Sequence, residues 1–269
     1  MPSAISILGL ALVAGTTLAA PSKGRPTRTI QKRAAPSIAS GFTAQQTTQL
    51  TDAFRDALEL AAYVATDFQD GVFTKYYNSG DKDTVNNVFN NILGGDPNGQ
   101  GSDLLSSITI TPDYPDSDGD LACDGKTMAE MRDWDTDTPK IVVCDPAGFG
   151  HGGIGKSYGS VPAVGCDGFD PRVSWKMETL GSILLHEYTH WKKLVAPPLA
   201  KETDDDAYGP YGVRQLDKNV ATNNADSYSW FATENLWTVI CQTQYQDPQP
   251  SDDNDPNCNG QVCKAPKSP

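Results

Sequence analysis

His186-Glu187-Tyr188-Thr189-His190 lies in a stretch, Val173 to Leu194, whose apolar spacing reads as one helix. Met177, Leu180, Leu184, and Trp191 or Leu194 form its inward face. One helical turn separates the two histidines, so both imidazoles leave the same face and can bind one metal ion. Glu187 stands beside them, where a carboxylate can take a proton from a water at that ion. The chain has only three histidines, and random placement would give this pentapeptide roughly once in a thousand such sequences.

Upstream, the chain opens with an apolar stretch, Ala4 to Ala14, followed by the small residues Thr17, Leu18 and Ala19. This reads as a secretory signal, residues 1–19, and the stretch is too short for a membrane span. Residues 20–33 are basic and end in Lys32-Arg33, a dibasic processing site, so they read as a short pro-segment. A folded domain over 34–246 and a Pro/Asp-rich tail over 247–269 complete the organisation. Loss of residues 1–33 removes five positive charges and takes the formal charge from −13 to −18. So acidic a chain argues against nucleic acid and anionic membranes as partners. Six cysteines, Cys123, Cys144, Cys166, Cys241, Cys258 and Cys263, suit a secreted, extracellular protein with up to three disulfides. Fifteen pairings are open, and no CxxC pair points to a zinc site of cysteines.

Thr43 and Gln46 form a capping box for a helix ending near Asp67, with Leu50, Phe54, Leu58 and Ala62 on one face. A second helix is predicted over Lys82 to Leu93, a third over about Asp217 to Thr243. Short strands are predicted over Ser107 to Thr111 and Lys140 to Cys144. Helices outnumber strands and do not interleave with them, which gives an α+β class, mainly helical with a small β-sheet. A monomer is expected.

Two histidines do not complete a hydrolytic zinc site, which takes three protein ligands and leaves one position open. The remaining histidine, His151, sits among glycines, so a carboxylate must be considered. Downstream stands Glu202-Thr203-Asp204-Asp205-Asp206-Ala207-Tyr208-Gly209. The pairing of HExxH with Thr-x-Asp-x-x-Tyr-Gly resembles the aspzincins, the fungal deuterolysin and peptidyl-Lys metallopeptidase group, whose pattern is HExxH followed by GTxDxxYG. Glu202 replaces the pattern's glycine, and the spacer from His190 is longer than usual. Asn224-Ala225-Asp226 and Ile141-Val142-Val143-Cys144 also resemble family segments, so the likeness covers about residues 140–240.

The resemblance implies a zincin-like fold with the HExxH on its active-site helix. It implies a secreted zinc metalloendopeptidase acting on proteins or peptides, with one catalytic zinc ion on His186, His190 and Asp205. Asp204 and Asp206 stay open as register alternatives. Glu187 would be the general base, Tyr208 a hydrogen-bond donor to the oxyanion, and Asp226 a substrate contact for a cationic side chain. Ser229 stands where a second acid is expected, so lysine preference is not favoured. A secreted zinc-binding or surface-antigen protein with little hydrolysis is the alternative. Asp116-Ser117-Asp118-Gly119-Asp120 fails the calcium-loop pattern at its sixth and twelfth positions. The glycine-rich loop Gly148 to Gly159 lacks phosphate-loop spacing and reads as a rim of the cleft.

Overall fold

Thr43 and Gln46 cap each other: the Gln46 N–H donates to the Thr43 hydroxyl at 3.2 Å and the Thr43 N–H to the Gln46 side chain at 2.8 Å. From this cap helix α1 runs over Ala44–Thr66, and the four residues of the predicted face are buried. The computed structural model describes residues 34–96, 101–124, 127–144, 166 and 169–250. Strand β1 (Ser37–Ile38) precedes α1; α2 (Asp70–Tyr76) and α3 (Lys82–Ile92) follow it. Then come β2 (Thr109–Thr111), β3 (Ala129–Arg132) and β4 (Lys140–Val143). The carboxy-terminal half holds α4 (Leu180–Thr189), α5 (Lys192–Val195), α6 (Gly209–Gln215) and α7 (Ala225–Cys241). The molecule is α+β, with seven helices and one four-stranded sheet among the described residues.

The sheet order is β1-β2-β4-β3. β1, β2 and β4 run parallel, and β3 returns antiparallel to β4 with Met131 opposite Ile141. Among the described residues β3 is thereby an edge strand, and it lies against α4.

The predicted helix over Val173 to Leu194 is three pieces, which corrects that reading. A 3-10 turn covers Trp175–Met177, then α4 starts at Leu180 behind its cap Thr179, then α5 follows. Thr179 and Ser182 cap each other's backbone N–H groups at 2.9 and 3.1 Å, which fixes the start of α4. The break after His190 comes where Trp191 turns extended, and α5 ends ahead of Pro197-Pro198. The third predicted helix likewise begins later, at Ala225, because Asn224 is extended and bridges Asp204.

All ten residues of α4 are buried, as expected for a helix without a solvent face. It packs between α1 and α7. Gly181 makes that approach: a Cβ there would lie 2.6 Å from the Asp56 Cβ and 2.9 Å from the Ala57 nitrogen. Behind α7, Phe68, Phe73, Tyr77 and Phe89 ring Phe231 at centroid distances of 5.5 to 6.1 Å. Glu234, fully buried on α7, accepts from Lys75 at 2.7 Å and Tyr76 at 2.8 Å and also pairs with Arg214 of α6. Such a charge is tolerable in the core because every partner is present.

Two disulfides join Cys123 to Cys144 and Cys166 to Cys241. The second closes a loop of 75 residues onto the end of α7, worth about 4 kcal/mol in chain-entropy terms. Cys258 and Cys263 lie outside the described residues, as do the signal and pro-segment, His151, Gly148 to Gly159 and most of the tail. No described helix is long and apolar enough to cross a membrane.

Candidate metal centre

His186 lies in the last turn of α4 and His190 is the residue that caps it. Their Nε2 atoms face each other at 3.1 Å. Asp205 joins them from the loop after α5, its Oδ1 at 3.1 Å from His186 Nε2 and 3.4 Å from His190 Nε2. Among the described residues these three are the group whose ligand atoms converge, all within 4.8 Å of one another. A tetrahedral ion with bonds of about 2.0–2.1 Å has ligand-to-ligand edges of about 3.3 Å. The three separations bracket that value, so the donor set fits zinc in size, atom type and number.

The neighbouring aspartates are placed elsewhere. Asp204 pairs with Lys201 at 2.5 Å and with the Asn223 amide, and Asp206 is exposed. The backbone sets which of the three consecutive aspartates faces the histidines. Asp204 pairs with Asn223 and Asn224, so its side chain points out and that of Asp205 points in.

Each histidine is held by its other ring nitrogen. His186 Nδ1 lies 2.8 Å from Asp226 Oδ1, and His190 Nδ1 lies 2.9 Å from the Thr203 carbonyl. With both Nδ1 atoms donating, both Nε2 lone pairs turn toward Asp205, as metal-binding imidazoles require. Thr203 also donates its N–H to the Thr189 carbonyl at 3.2 Å, and the two threonine hydroxyls meet at 2.8 Å. The Thr189 bond and the Asn224 clamp on Ala207 carried no signal in the sequence, since a hydroxyl or amide acting across a fold has no fixed spacing.

Asp226, expected to receive a cationic substrate group, is hydrogen-bonded within the fold. The residue is buried, Oδ1 takes His186 and the Ser229 hydroxyl, and Oδ2 takes the Gly209 N–H at 2.6 Å. Oδ1 thus has two partners within the fold and Oδ2 one. Tyr208 lies beside the histidines: its ring stacks on the His186 imidazole at 6.0 Å and 18°.

The charges are mutually demanding. Burial by itself would lower the His186 pKa, but Asp205 and Asp226 outweigh it and hold it well above its ordinary value. His190 is raised the same way, chiefly by Asp205 against burial. Partial burial would raise Asp205, yet the two imidazoles drive it far below the carboxylate range. Two carboxylates facing two imidazoles thus favour positive charge at their centre. Glu187 is buried next to them, and burial raises its pKa against the opposing pull of both histidines. It takes a backbone hydrogen bond from Met131 of β3, which sets the carboxylate against the sheet edge. Burial and the Asp205 charge push the Tyr208 phenol far up, so it keeps its proton.

Residues 169–233 match the family model for aspzincins, described as lysine-specific metallo-endopeptidase. The chain has no match among curated proteins. The matched stretch contains His186, Glu187, His190, Asp205, Tyr208 and Asp226, and over it the chain is similar to the aspzincin family.

Proposed function

We propose that this protein is a secreted zinc metalloendopeptidase, with zinc held by His186, His190 and Asp205. The observation that carries the reading is the triangle of Nε2, Nε2 and Oδ1 atoms at 3.1, 3.1 and 3.4 Å, with a buried carboxylate beside it. The aspzincin family is one of metalloendopeptidases, and two disulfides suit an oxidising exterior. Zinc, when bound, supplies Lewis acidity, polarising a carbonyl and making water acidic enough to act as a nucleophile near neutral pH.

The rest is done by side chains. Glu187 takes the proton released by the attacking water and returns it to the leaving amine. Its raised pKa suits both halves of that transfer, because a carboxylate of ordinary acidity is a weaker base. Tyr208 donates its phenol hydrogen to the oxygen where negative charge develops. The edge strand β3, beside Glu187, offers backbone groups along which an extended peptide can lie as an added strand.

The test is purified protein with zinc on denatured casein. Wild type should cleave, and Glu187→Gln should lose cleavage by a factor on the order of 10³ or more while retaining zinc. Equal cleavage by the two would overturn the peptidase reading. Zinc bound without cleavage by wild type would favour the non-hydrolytic zinc-binding alternative.

A further inference from the structure

Asn224-Ala225-Asp226 stands opposite the loop that carries Asp205, and a run of five hydrogen bonds joins the two segments. The Asp204 N–H donates to the Asn223 carbonyl at 2.6 Å, and the Ala225 N–H to the Asp204 carbonyl at 2.9 Å. The Asn224 side chain then imitates a strand. Its Oδ1 accepts from the Ala207 N–H at 2.9 Å and its Nδ2 donates to the Ala207 carbonyl at 3.1 Å. Last, Asp226 Oδ2 accepts from the Gly209 N–H at 2.6 Å. Residues 204 to 209 are thus bound on both sides of Asp205 and fixed in a shape that aims its carboxylate inward.

The same Asp226 carboxylate reaches the other arm of the site through His186 Nδ1 at 2.8 Å. Ser229 supports it from below, its hydroxyl donating to Asp226 Oδ1 at 3.2 Å. Thr203, at the far end of the Asp205 loop, performs the equivalent service for His190. The helix that supplies two ligands and the loop that supplies the third are therefore cross-braced. One brace is the loop's own Thr203; the other runs through Asp226.

We infer that Asn224 and Asp226 are positioning residues that hold the histidine and aspartate arms of the metal centre in register, and that Asp226 does not receive a cationic substrate side chain. The cleft around Asp226 then has no built-in lysine selection, and cleavage preference is set elsewhere. The inference rests on the zinc reading above.

The experiment measures zinc affinity of the full chain by competition with a chromophoric chelator, alongside kcat and KM on peptides that differ only in the residues flanking the scissile bond. Asp226→Asn should weaken zinc about 10- to 100-fold. It should lower kcat and leave the order of preference among peptides as in wild type. Asn224→Ala, which removes only contacts to Ala207 and Ser227, should also weaken zinc severalfold. A merely structural residue would not move metal affinity in a protein that keeps its circular dichroism. Asp226→Asn with wild-type zinc affinity and a lost preference for lysine-flanked peptides would overturn the inference. So would unchanged zinc affinity in Asn224→Ala. If Asp226→Asn does not fold, Ser229→Ala takes its place, with a smaller loss of zinc affinity expected and no loss overturning the idea. Wild type that binds zinc but cleaves nothing would sink the peptidase reading alone, leaving the affinity comparison to decide this one.

Discussion

At Tyr208 the phenol lies beside Asp205, with its ring nearly parallel to the His186 imidazole. In the proposed mechanism such a donor acts on the transition state without being a ligand. Tyr208→Phe should therefore lower kcat on the order of 10²-fold while zinc affinity, read by chelator competition, stays within about twofold of wild type. A parallel loss of zinc would mean that the hydroxyl, through its bond to Asp205, holds the ligand set rather than acting on the transition state. At this scale the sequence was readable where chemistry has a short period. His186, Glu187 and His190 needed only the helical repeat. Asp205 needed more, because Asp204 and Asp206 have the same side chain one residue away. Only the backbone pairing of Asp204 with Asn223 and Asn224 separates them.

Helix α4 is positioned by a residue with no side chain. Gly181 lets α4 meet α1 so closely that an added Cβ would overlap the Asp56 Cβ and the backbone around Ala57. Gly181→Ala would gain helix propensity of about 1 kcal/mol. The clash is with main chain, which cannot swing aside, so we expect a net loss of about 1–3 kcal/mol. Thermal unfolding should show Tm lower by about 2–10 °C, and a rise in Tm would refute this account of the packing. Among elements, α1 and α3 were legible almost to the residue, since apolar periodicity and caps coincide there. The long helices predicted around the motif and at the end were not. Thr179, Ser182 and Asn224 interrupt them with side-chain hydrogen bonds that periodicity does not register. The strands β1 and β3 and the helices α2 and α6 are two to seven residues long, too short for a pattern to declare itself.

For the whole molecule, the packing around α7 ties stability to alkaline pH. Tyr76, Tyr77 and Tyr228 are raised by burial, and Tyr245 is raised, again chiefly by burial, to about 12. An unfolded tyrosine titrates near 10. The native state therefore binds these protons more tightly, and its stability is complete below about pH 10 and falls as pH rises from there through 12. Ultraviolet phenolate titration of the native protein should show these tyrosines silent at pH 10–11, appearing only with unfolding. Full titration at pH 10 in a folded protein would contradict it. At the same scale the acidic balance, −18 without residues 1–33, follows from composition alone.

Sequence by itself determined that His186 and His190 share a helix face with Glu187 beside them, that a third ligand had to be sought among carboxylates, and the α+β class. These depend on periodicity and residue type, which are local. Tertiary structure decided which aspartate faces the histidines and that both oxygens of Asp226 are hydrogen-bonded within the fold. Those outcomes depend on hydrogen bonds between segments far apart in the chain, such as His186 to Asp226 and Ala207 to Asn224, and no local spacing encodes them.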